Sequence, residues 1–276
     1  MRILFGSVLF ILIASTCAAQ PPRSLLVEIT GGKFVGLPIH WGKVDAALLE
    51  PTGQIRIFEQ NEVVQHQLLD EFFQPVNLSD ARSKLQQELG SSYETSISAP
   101  YIIAAPVGQA SRWESRFRTL LSGYVRYFET RGLSLRKPDF PLVIVVTPNR
   151  DEFSKFAHRE TRGATLGDNL AGMYVPKTNR CILFNLPSGG TTNWQATEAT
   201  IVHEAVHQLA YNTGVHERLF EHPLWFVEGL ATMFEMPAVY DSSASRAGTI
   251  DRLYPSRAAE VIRLVDNDPA QLGDLV

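Results

Sequence analysis

The sequence predicts an α+β protein with a small β module at its N-terminal end. Short apolar runs broken by Gly and Pro fill residues 24–57, as in a small antiparallel β module. Further on, apolar residues recur at 3.6-residue spacing over about 110–130, which marks a long amphipathic helix. Continuous apolar runs such as Leu142–Val146 have the form of buried strands.

Composition narrows the function classes. The chain has 276 residues, with 25 Lys+Arg against 29 Asp+Glu, so its net charge of −4 argues against a nucleic-acid partner. Hydrophobic residues at 45% and charged residues at 20% exclude wholesale disorder, a collagen-like repeat and a coiled-coil rod.

Residues 1–19 combine a charge at Arg2, an apolar stretch and a small-residue exit at Cys17-Ala18-Ala19, the build of a secretory signal peptide cleaved after Ala19. Ser15, Thr16 and Gln20 interrupt it too early for a transmembrane anchor, which needs about 20 consecutive apolar residues. A lipid-modified Cys17 is the rival reading, and Thr16 before it fits that poorly. Export to the periplasm or the medium is therefore expected. Cleavage leaves Cys181 as the one thiol, so a core, a metal or both must hold the mature chain.

The expected organisation is a signal peptide (1–19), a β module with a connector helix (20–98) and a second unit (99–276). The connector helix has Ser79 as its expected N-cap, carries Leu85 and Leu89, and stops at Gly90. A strand at Tyr101–Ala105 precedes the long helix, whose Trp113, Phe117, Leu120, Leu121, Tyr124 and Phe128 read as core. After the strand at 141–146, a helix is expected from Asp151. Gly172–Val175 and Arg180–Phe184 around Pro176–Asn179 then read as a hairpin.

The chemistry lies between Thr191 and Pro237. Thr192 with Gln195 is a capping-box pattern, and Ile201, Val202, Ala205, Val206, Leu209 and Ala210 give the helix a wide apolar face. Within it stands His203-Glu204-Ala205-Val206-His207. Residues four apart on a helix differ by about 40° and about 6 Å, so both imidazoles can reach one cation from the same side. Glu204 is placed to act as general base on a water in the metal's open position. The pattern arises by chance in roughly one chain in a hundred. A catalytic zinc usually takes three protein ligands and leaves one position open, so a third donor has to be found.

A second helix from Pro223 to an exit at Pro237 supplies Glu228. Glu228 and His207 each lie about five residues, or about 8 Å, from the intervening turn, so an antiparallel pair brings them to the same depth. Gly229 is expected to permit close backbone approach. Glu235, two turns deeper, is expected to orient a ligand histidine. His216 and His222, in the loop, are alternative ligands, and loop histidines are more often exposed. Tyr211, Tyr240 and Tyr254 are candidate donors to a developing oxyanion. His40, His66, His158 and Cys181 read as structural.

The combination of His203-Glu204-x-x-His207 with Trp225-x-x-Glu228-Gly229-Leu230-Ala231 resembles the gluzincin clan of zinc metallopeptidases. In particular it resembles peptidase MA-like secreted bacterial proteins of a domain-of-unknown-function family. The resemblance covers about residues 101–239. It implies a zincin-like fold for 99–276, Zn2+ held by His203, His207 and Glu228, Glu204 as base, and a hairpin strand near Tyr174 or Ile182 bordering the cleft. Members usually continue past the second helix, which implies more chain beyond a possible helix at 256–265 and a truncated C-terminus. The expected function is a secreted zinc-dependent peptidase acting on peptides or proteins. The alternative is a non-catalytic zinc-stabilised binding or envelope-associated module.

Overall fold

Ten strands pair into two five-stranded sheets in the computed structural model, which describes residues 21–161, 163, 170–184, 194–240, 248, 250–252, 258–259 and 262–263. The expected signal peptide, Thr192, Tyr254 and most of the expected 256–265 helix lie outside these residues. The architecture is α+β, with six α-helices among the described residues. No helix among them is long and apolar enough to cross a membrane.

The first sheet is antiparallel: β1 (Arg23–Ile29), β2 (Gly32–Trp41), β3 (Asp45–Leu49), β4 (Ile55–Glu59) and β5 (Val63–Phe72), in the order β4-β3-β2-β1-β5. Alternating side chains put Leu25, Val27, Ala46, Leu48 and Phe58 into one small core. Strand β5 is not expected from the sequence. Its outward residues include exposed Val64 and Leu68, so it shows no apolar alternation and is held by pairing with β1.

The second sheet has the order β6-β7-β8-β10-β9, formed by β6 (Tyr93–Ser98), β7 (Tyr101–Pro106), β8 (Leu142–Thr147), β9 (Gly172–Val175) and β10 (Arg180–Phe184). The β7/β8 and β8/β10 pairs are parallel, and the outer pairs antiparallel. The parallel strands β7 and β8 are apolar up to Thr147 at the end of β8 because both faces are covered. Tyr101, Ile103, Ile144, Val146, Cys181 and Leu183 face α2 (Ala110–Glu129) and α4 (Trp194–Thr213). Ile102, Ala104 and Val145 face α1 (Leu78–Leu89), and Ile182 and Phe184 face α3 (Arg150–Glu160).

The expected stripe on α2 is core: Trp113, Phe117, Leu120 and Tyr124 are at most 2% exposed. The N-cap of α1 is Asn77, not Ser79; the Asn77 side chain accepts from the Asp80 N–H at 2.9 Å, and Ser79 is already helical. Helix α1 and strand β6, both before residue 99, pack on and pair into the second sheet. After α4 the chain turns into α5 (Leu224–Phe234), then the short α6 (Pro237–Tyr240). Helix α6 crosses α2 so closely that the Tyr240 carbonyl oxygen occupies the space beside Gly123 where a Cβ would sit.

Candidate metal centre

Helix α4 divides into stripes with separate tasks. Ile201, Val202, Ala205, Val206, Leu209 and Ala210 are at most 6% exposed and anchor it in the core. Its polar residues form two adjacent rows at four-residue spacing, Glu204-Gln208-Asn212 and His203-His207-Tyr211.

The first row meets the β9–β10 hairpin. Gln208, fully buried, donates to the Val143 carbonyl at 3.1 Å and the Asn179 carbonyl at 2.9 Å. Asn212 and Asn179 exchange side-chain hydrogen bonds of 2.7 and 3.0 Å, and Asn179 sits at φ 58° in the hairpin turn, a backbone region that Asn tolerates. Tyr174 donates its hydroxyl to Asn179 at 2.9 Å and its backbone N–H to Glu204 Oε2 at 2.8 Å. These contacts fix the helix against the hairpin, and Glu204 with it. Gly172 leaves room for that carboxylate, since a Cβ there would stand 3.0 Å from Glu204 Cγ and 2.7 Å from Leu183 Cδ2.

The second row meets α5. Glu228 brings Oε2 to 3.1 Å from His203 Nε2 and Oε1 to 3.6 Å from His207 Nε2. One donor atom from each of the three residues falls within a common 4.8 Å. His203 Nδ1 lies 2.8 Å from Glu235 Oε1, and that carboxylate is only 11% exposed. A proton on Nδ1 donated to Glu235 leaves the Nε2 lone pair directed at the Glu228 side. The expected grouping of His203, His207 and Glu228, with Glu235 behind a histidine, is therefore present.

The electrostatics suit a cation. Burial pushes the His207 imidazole down to about 3, helped by the charge of His203 and then of His216, so it is neutral at ordinary pH. Burial also lowers His203, but Glu235's hydrogen bond and the charges of Glu204, Glu235 and Glu228 outweigh it and hold the imidazole above its usual range. Burial raises Glu204 above the usual carboxylate range, against His203 and the Tyr174 N–H. Three carboxylates around two imidazoles are an excess of acceptors, which a shared cation relieves. Tetrahedral coordination with bonds of about 2.0–2.1 Å separates neighbouring ligand atoms by about 3.3 Å; each imidazole Nε2 lies near that distance from one of the two Glu228 oxygens, His203 from Oε2 and His207 from Oε1. These residues can hold a metal ion.

Other expectations fare differently. Among the described residues nothing lies within 4 Å of where a Gly229 Cβ would be, so Gly229 is not what allows α4 and α5 to approach. His216 is 1% exposed, not a surface loop histidine, and neither it nor His222 joins the ligand group. Tyr174, not Ile182, borders the centre; Ile182 lies in the core under α3. The sequence reading missed Gln208, Asn179 and Asn212. Their one local signal is a Gln and an Asn continuing the four-residue interval from Glu204.

A family model described as protein of unknown function (DUF1570) matches residues 197–271, a span that includes His203, Glu204, His207, Glu228 and Glu235. No curated protein matches the chain.

Proposed function

We propose that the protein is an exported zinc-dependent peptidase, with His203, His207 and Glu228 as metal ligands and Glu204 as general base. The observation that carries this reading is the Glu228 carboxylate set against both imidazole Nε2 atoms, with Glu204 one position away on the same helix. Two imidazoles and one carboxylate form a zinc donor set that leaves a coordination position open, as the gluzincin resemblance implies. Bound zinc would supply Lewis-acid polarisation of the scissile carbonyl and a lowered pKa for water in that position.

The chain's own residues do the rest. Glu235 orients His203 through Nδ1, and Gln208 and Asn212 hold the helix that bears the base. With Oε2 tied to the Tyr174 N–H, Glu204 takes the water proton on its other oxygen and returns it to the leaving amine. Its raised pKa brings it closer to the neutral range in which a base both accepts and returns a proton. For a peptide substrate, β9 is the end strand of its sheet and stands beside Glu204, where extended main chain can pair with it.

Glu204→Gln tests the reading. The variant should lose peptide hydrolysis and keep the wild-type zinc content by elemental analysis; undiminished cleavage refutes the role of Glu204. A wild-type protein that loses stability on metal removal yet cleaves nothing in a peptide library is instead the non-catalytic module. Export is tested by intact mass, with a chain starting at Gln20 expected.

A further inference from the structure

Peptide hydrolysis of the proposed kind needs a hydrogen-bond donor for the oxyanion, besides its base. Tyr211 continues the α4 row that carries His203 and His207, one turn further on. Side chains on a helix lean toward its N-terminus, which for Tyr211 is the direction in which His207 lies. Its ring stacks on Tyr174, with centroids 5.7 Å apart at 25°, and Tyr174 is the residue whose N–H holds Glu204. The other flank is closed by His216, 5.2 Å away, an enclosed imidazole.

Tyr211 is thus gripped between the hairpin and the α4–α5 loop, at half-buried exposure. A phenol is protonated at neutral pH and so is a donor there. Tyr240, the other candidate donor within the described residues, has its ring in the core with α2 and α5.

We propose that Tyr211 donates its hydroxyl hydrogen to the oxyanion of the tetrahedral intermediate, while Tyr174 and His216 hold its ring. The proposal rests on the peptidase reading above. No bond to Tyr211 forms or breaks: its proton stays on the phenol oxygen, and the proton that Glu204 takes from water goes to the leaving amine.

The test compares Tyr211→Phe with wild type in the full, zinc-loaded chain. Removing the hydroxyl leaves the ring to stack, so the unfolding midpoint and bound zinc should be unchanged. The expected result is a fall in kcat of roughly 10²–10³-fold with little change in KM. Calorimetry with N-phosphoryl-leucinamide, whose tetrahedral phosphoryl oxygens mimic the intermediate, should show binding weaker by about 10-fold or more. If either kcat or analogue affinity is unchanged in Tyr211→Phe while Glu204→Gln is inactive, the Tyr211 assignment falls and the peptidase reading stands. Undiminished cleavage by Glu204→Gln, or no hydrolysis by the wild type, overturns both.

Discussion

Replacing Glu235 by Ala tests how the centre is held. The carboxylate is 11% exposed and sits 2.8 Å from His203 Nδ1, within reach of one imidazole nitrogen and on the far side of the ring from Glu228. A hydrogen bond to a charged group contributes about 1.5–3 kcal/mol. Losing a partner behind a ligating histidine typically weakens metal binding by about 10–100-fold, which is about 1.4–2.7 kcal/mol. The two routes agree, so Glu235→Ala should raise the zinc dissociation constant by about 10–100-fold. Glu235→Gln keeps an acceptor oxygen and loses the charge, so its effect should stay below about 10-fold. Competition of the metal-free protein against a chromophoric chelator measures both, with His203→Ala as the reference for a lost ligand. A dissociation constant within about 2-fold of wild type for Glu235→Ala would show that the contact does not orient His203. A loss as large as that of His203→Ala would make Glu235 a ligand.

Two predictions concern stability. In an exposed helix Gly→Ala stabilises by about 0.5–1 kcal/mol, but at Gly123 the added Cβ would collide with the Tyr240 carbonyl oxygen and stand 2.8 Å from its Cα. Because the obstacle is backbone, no rotamer change relieves it, and urea unfolding should show Gly123→Ala destabilised by about 1–3 kcal/mol; a stabilised variant refutes the close crossing of α2 and α6. The second involves Glu88 on α1, which accepts two 2.8 Å hydrogen bonds from Arg180 and one from Arg159, joining α1, α3 and β10. Burial alone would raise the Glu88 carboxyl, and Arg180, with the charge of Arg159, holds it below the usual range. A lowered folded-state pKa means stability that is fully present above about pH 4.5 and is lost as pH falls through the folded value. Glu88→Gln should therefore cost about 1–2 kcal/mol at neutral pH, and the gap to wild type should close in acid. A gap that does not narrow on acidification contradicts the ion pair.

What the sequence makes legible is whatever a helix or a buried strand enforces by itself. Two histidines four apart share a direction in any helix, and the depth of Glu228 follows from counting residues to a turn; both hold in the structure. The α2 stripe and the β8 run are legible because burial leaves a periodic trace. Gln208 is opaque, because its partners lie 29 and 65 residues away and nothing local distinguishes it from a solvated glutamine. Strand β6 escapes notice because most of its residues are only partly covered. The burial of His216 depends on packing against Tyr211, His222 and Phe226, contacts set by the tertiary fold of the loop.

One cross-tie remains. The guanidinium of Arg218, in the loop that bears His216 and His222, donates to the carbonyls of Pro176 and Lys177 in the hairpin turn and of Gly53 between β3 and β4. A second stitch runs from the Ile55 N–H to the Lys177 carbonyl at 2.7 Å. The N-terminal sheet is thereby a brace. Proteolytic trimming of it would strip Arg218 and the hairpin of their shared footing, and loosen the strand that positions Glu204 without touching a single ligand.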